Sequence, residues 1–165
     1  MAKKKFSFKQ ISIVVVILVV IAVLIWLILS PPQIFACSRD AKRAADISAI
    51  SAAIGLYLAD NQNFNSLKDL NYVSNTNQPN SQSINGQGWL PLDFSKITSG
   101  EPFAVLPVDP LNNDYYRYIV KINPEKKTYE INCLYEAKNN QGKMLKDGGN
   151  NPNVYEVGTD LALLQ

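Results

Sequence analysis

The sequence predicts an α+β fold, with one long N-terminal helix whose first half is transmembrane, packed on a small antiparallel β-sheet. Three observations predict it. Nineteen consecutive positions, Ile11–Leu29, hold no charge and one clearly polar side chain, Ser12. A second helical pattern follows, with Ile47, Ile50, Ile54, Tyr57 and Leu58 spaced three and four apart on one stripe. Later, two runs alternate apolar and polar residues, Tyr115–Ile122 and Thr128–Tyr135.

The first segment is long enough to cross a bilayer. Nineteen residues in a helix rise about 28 Å, against a hydrocarbon core of about 30 Å. Lipid offers backbone groups no partner, so the segment has to be helical. Trp26 sits near its outer end. The basic leader over residues 1–10 carries Lys3, Lys4, Lys5 and Lys9 and no acid, which places the N-terminus in the cytoplasm and the remainder outside. Two other readings stay open. One is a cleaved secretory signal, although its apolar region is usually only about 7–15 residues. The other is a lipoprotein signal ending at Ile34-Phe35-Ala36-Cys37 with Cys37 acylated.

Residues 30–38 read as a junction, because Pro31-Pro32 should end or kink the membrane helix. The exported part then spans 39–165. Its helix covers 39–60, with Ser38 as the N-cap and Asp60-Asn61-Gln62-Asn63 as the stop. The charged stretch Arg39-Asp40-Ala41-Lys42-Arg43 reads as a solvated first turn, with contact to lipid headgroups or another subunit as the alternative. A loop covers 61–114. Within it, Asn65–Leu70 reads as one more helical turn, Ser74–Gly88 as exposed, and Trp89–Pro110, with four prolines, as an irregular path over the core. The β-hairpin covers 115–135 around Asn123-Pro124-Glu125-Lys126-Lys127. Tyr116, Tyr118, Val120 and Ile122 share one face of the first strand, and Tyr129, Ile131, Cys133 and Tyr135 share one face of the second. A C-terminal loop and a strand at Val154–Val157 fill 136–165. The stripe on helix 39–60 is the one long amphipathic partner for the hairpin.

Composition narrows the function. The chain has 165 residues and no histidine, which excludes His-based metal sites and His-activated nucleophiles. Two cysteines cannot build a four-cysteine zinc site. Beyond residue 10, 12 basic and 14 acidic side chains leave a charge of −2, so there is no electrostatic footprint for nucleic acid. No residue pattern suggests catalysis, and the expectation is a protein that is not an enzyme. Cys133 reads as a buried free thiol, with a disulfide to Cys37 disfavoured because the two lie at different ends of the domain. The tyrosines Tyr115, Tyr116, Tyr118, Tyr129 and Tyr135 read as strand packing rather than as a binding surface.

Four stretches, taken in order, resemble type IV pilins and are similar to the major pseudopilins of type II secretion. They are Arg39-Asp40-Ala41-Lys42-Arg43, the helix leading to Leu56-Tyr57-Leu58-Ala59-Asp60-Asn61, Leu106-Pro107-Val108-Asp109-Pro110-Leu111-Asn112, and Asp147-Gly148-Gly149-Asn150 through Tyr155-Glu156-Val157-Gly158. The resemblance covers about residues 37–160 and implies a pilin-like fold. The implied role is a structural subunit, membrane-anchored by its N-terminal helix and able to enter a pilus or pseudopilus through self-association or other pilin-like subunits. The alternative is a single-pass anchored extracellular binding module that does not assemble. Pilin precursors carry a leader ending in Gly, then Phe-Thr-Leu-Ile-Glu. Here Ser7 stands at the Gly that precedes the bond cut by prepilin peptidase, Phe8 at the Phe, and Ser12 where the family has the Glu implicated in subunit docking. The Asp/Asn/Gly loops at Asn112-Asn113-Asp114 and Asp147–Asn153 offer oxygen ligands of the kind calcium prefers, which makes Asp114, Asp147 and Asn150 candidates, and the resemblance to calcium-binding major pseudopilins adds to this; the other reading is that these residues supply turns. No other cofactor is expected.

Overall fold

A computed structural model describes residues 8–29, 31–60, 63–65, 67–68 and 70–164. The chain divides into two compact units, residues 1–35 and 36–165. In the first, α1 spans Phe8–Leu29. The second long helix, α2, spans Pro31–Ala59 and carries the chain from one unit into the other. Residues 31–38, expected as a junction, are therefore helical, and Ser38 lies inside α2 rather than capping it. The reason is positional: proline is tolerated in a first turn, where its missing N–H would have no intrahelical acceptor.

Within residues 36–165, four antiparallel strands run in the order β1–β2–β3–β4, at Asn71–Val73, Ile119–Asn123, Thr128–Cys133 and Tyr155–Gly158. The β2–β3 hairpin pairs Ile119 with Asn132 and Asn123 with Thr128. It is shorter than 115–135 because Asn113 ends the extended run early: its Oδ1 accepts N–H bonds from Tyr115 and Tyr116. At the hairpin turn, Asn123 Oδ1 accepts from Glu125 and Lys126, and Lys127 takes the left-handed conformation at φ 56°. The described part of 65–70 contains no helix, and β1 follows it unannounced by any alternation. A further short helix, α3, spans Gln141–Met144.

The stripe on α2 covers the sheet. Ile47, Ile50 and Ile54 have no exposed surface and share one core with Tyr118, Val120, Ile122, Ile131 and Cys133. Each such burial contributes about 1.5–3 kcal/mol. Two bonds fix the helix in register: Tyr118 Oη donates to Asp46 Oδ2 at 2.9 Å, and Tyr129 Oη meets Ser51 Oγ at 2.9 Å. The irregular segment 74–118 closes the core with Trp89, Leu90, Leu92, Phe94, Ile97 and Leu106, all buried. Trp89 Nε1 is satisfied by the Pro107 carbonyl at 3.0 Å.

Candidate functional site

Helix α1 is apolar on every side. From Phe8 to Trp26 its large side chains are about half exposed or more, with Val16 61% and Trp26 67% accessible. A soluble protein would bury such a helix; one left uncovered suits hydrocarbon. Phe8 is its first residue, while Ser7 lies outside the described residues. Ser12 Oγ donates back to the Phe8 carbonyl at 3.0 Å. The hydroxyl thus satisfies itself within its own helix.

The charged stretch at the start of the second unit departs from expectation. Arg39-Asp40-Ala41-Lys42-Arg43 is solvated only at Ala41 and Lys42: Arg43 has no exposed surface, and Asp40 and, further on, Asp46 are 2% and 5% accessible. Arg43 is gripped from three directions. Its Nε and Nη2 donate to the two oxygens of Asp109 at 2.6 and 2.9 Å, and its Nη1 donates to Asp40 Oδ1 at 2.9 Å and reaches Glu136 Oε1 at 2.5 Å. The Tyr116 ring covers the guanidinium at 4.7 Å. Arg39 closes the other side with a fork onto Glu136 at 2.8 and 2.6 Å.

Each carboxylate is also held by other donors. Asp40 accepts from the backbone N–H of Glu136 and Ala137 and from Asn140 Nδ2, which locks the chain leaving β3 onto α2. Asp109 Oδ1 accepts from the Leu111 N–H at 2.9 Å, which sets the turn after Pro107-Val108. Burial by itself would lower the Arg43 pKa, but the bonds from Asp109, Glu136 and Asp40 outweigh it and hold the guanidinium above the ordinary arginine value. The Arg39 fork, opposed by burial and aided by Arg43, holds Glu136 below the ordinary carboxylate value. The network therefore clamps α2, the 106–112 turn and the end of β3 into one body. A charged triplet at helical spacing could not reveal this, because its partners lie 66 and 93 residues further along the chain. The available signal was Asp109 in Leu106-Pro107-Val108-Asp109-Pro110.

The calcium candidates are not gathered around one point. Asp114 Oδ1 accepts from Asn75 Nδ2, whereas Asp147 accepts from the Gly149 and Glu156 N–H groups, one on each oxygen. Asn150 is exposed. Both Asp147 oxygens thus support turn geometry. Among the described residues, no group of three or more His, Cys, Asp or Glu side chains converges as metal ligands would.

Cys133 and Cys37 are both free thiols. Cys133 is buried in the core, and burial pushes its thiol far above the ordinary range, which makes it a poor nucleophile. The tyrosines divide by environment. Tyr135 stacks on Tyr155 at 4.8 Å, Tyr118 and Tyr129 bond to α2, and Tyr115 stands 70% exposed, edge-on to Tyr116. A cavity of about 490 Å³ opens beside Tyr115, Tyr116, Met144 and Leu145, but Glu136 in its wall is already committed to the two arginines.

These features define an α+β protein with an N-terminal helix long and apolar enough to cross a membrane and a small four-stranded antiparallel sheet. No protein-family model, no curated protein and no solved structure matches the chain.

Proposed function

We propose that the chain is a pilin-like structural subunit, anchored in a membrane by α1 and carrying residues 36–165 on the far side. One observation carries this reading. An all-round apolar helix is followed, one residue on, by a second helix whose stripe underlies an antiparallel sheet. That is the layout expected of a protein that stands on lipid and packs against copies of itself. Lys3, Lys4, Lys5 and Lys9 hold the N-terminus in the cytoplasm. In a filament, α1 would leave lipid for a bundle of neighbouring α1 helices, a heterologous repeat that does not close.

Ser12 favours a second reading, an anchored extracellular binding module that does not assemble. Its hydroxyl is spent on the Phe8 carbonyl, so the position offers no carboxylate to a neighbouring subunit's N-terminus. N-terminal sequencing of the membrane-extracted protein separates the two. A mature end at Phe8, with the protein in sheared surface filaments, supports the subunit. An intact leader and no filament fraction refute it in favour of the anchored module.

A further inference from the structure

The outer face of β3 should be wet and polar, yet Glu130 and Asn132 on it are 0% and 5% accessible, and Glu156 of β4 is 2% accessible. Register explains how they meet. Asn132 pairs with Glu156 and Glu130 with Gly158, so the two glutamates are diagonal neighbours on one face. Gly158 leaves the space opposite Glu130 open; a Cβ there would lie 2.1 Å from the Tyr129 carbonyl. The chain after β4 folds back into that space. Thr159 N–H donates to the Tyr129 carbonyl, and the Leu163 and Leu164 N–H groups both donate to Glu130 Oε2 at 2.8 Å.

Each glutamate therefore has one satisfied oxygen. Glu156 Oε2 accepts from the Asn151 N–H at 2.9 Å. Among the described residues, the other oxygens, Glu130 Oε1 and Glu156 Oε1, have no donor. The register nevertheless seats both carboxyls as diagonal neighbours on one buried face. Two acceptors can bond only if one carries a proton, and two buried like charges at this separation repel strongly.

We propose that Glu130 and Glu156 share one proton, forming a latch that ties residues 159–164 to the outer face of the sheet and loosens as the pH rises. Other charges surround the pair. Lys121 of β2 stands in register with Glu130, Lys146 and Asp147 lie in the loop before β4, and Asp160 lies in the returning segment. With one proton the pair carries a single negative charge; with none it carries two, and Asp147 adds to the repulsion. Burial first, then Glu130 and Asp147, raise the Glu156 pKa above the ordinary glutamate value, against the opposing Asn151 N–H. The sign follows. The latch is complete below the unfolded glutamate value of about 4.3 and is lost as the pH rises through the raised one.

The test is a titration of the full chain in detergent micelles, reading the Glu130 and Glu156 carboxyl carbons and the exchange protection of the Leu163 and Leu164 amides by NMR. Glu156 should titrate above an ordinary glutamate, and amide protection should fall about tenfold or more as the pH rises through that transition. In Glu156→Gln, whose amide can donate to Glu130 without a titrating proton, protection should stay level across that range. Ordinary titration of Glu156 with constant protection in the native chain overturns the proposal. This readout needs no variant to fold. Asn132 Oδ1 also lacks a donor on this face, so a bound cation is the competing occupant. A saturable rise in Tm on adding calcium or magnesium at pH 8, reversed by chelator and absent in Glu156→Gln, would overturn the shared proton, and an unchanged Tm supports it.

Discussion

Replacing Arg43 with Met probes the clamp at its centre. Methionine keeps the length and apolar stem of the side chain but removes the guanidinium's own bonds to Asp109, Asp40 and Glu136. Removing one partner from a buried ion network costs about 3–5 kcal/mol, because the remaining charges stay buried without compensation. Here the cost should fall near the lower end. Asp40 keeps two backbone donors and Asn140, Asp109 keeps the Leu111 N–H, and Glu136 keeps Arg39. For a folded unit of about 130 residues, each kcal/mol moves Tm by about 3–5 °C, so Arg43→Met should melt about 10–15 °C below the native chain. Arg39→Met is the control. It loses one partly exposed fork and should shift Tm much less. The assay is thermal unfolding of both variants in the same detergent, followed by circular dichroism at pH 7. An Arg43→Met chain melting within about 3 °C of native, or no lower than Arg39→Met, would refute the argument that buried charge holds α2 to the sheet.

Acid should release part of the same clamp. Glu136 has a depressed pKa in the folded chain, so its contribution is complete above the unfolded value of about 4.3 and is lost as the pH falls through the folded one. Tm should therefore drop more steeply below pH 4 in the native chain than in Glu136→Gln, and parallel curves would contradict this. Two glycine substitutions should act in opposite directions. At Gly55, exposed on α2, a Cβ meets nothing within 4 Å, and Gly55→Ala should stabilise by about 1 kcal/mol through helix propensity. At Gly158 the same Cβ would strike the Tyr129 carbonyl and Glu130 Cα, which are backbone and cannot yield, so Gly158→Ala should lower Tm by several degrees. Shifts of the same sign would break that contrast.

The parts of the fold readable from sequence are those set by local period. Ile47, Ile50, Ile54 and Tyr57 recur at helical spacing, and Tyr118, Val120, Ile122, Tyr129, Ile131 and Cys133 alternate; all ten are buried, whereas Leu58 and Tyr116 of the same patterns are half-buried. The unreadable parts depend on partners distant in sequence. Arg43 looks like a solvated residue until Asp109 and Glu136 are brought to it. Glu130 and Asn132 occupy positions that alternation assigns to solvent, yet both are buried, and the C-terminal segment folds back to bond Glu130 through the Leu163 and Leu164 N–H groups. β1 is three residues long and pairs with β2 along its edge, too short for any alternation to register. The candidate calcium residues rest on oxygen chemistry together with the resemblance, and oxygen side chains in loops also shape turns, as Asp147 does here.

The central proposal is that α1 resides in lipid while residues 36–165 fold as a body outside it. Alkaline extraction of membranes containing the full chain tests this most directly, because high pH strips peripheral proteins and leaves spanning helices embedded. The account predicts that the chain stays in the membrane pellet, and that Val16→Lys, which places a charge near the middle of α1, sends a large fraction of it to the supernatant. Release of the native chain into the alkaline supernatant, or equal retention of the lysine variant, would contradict it.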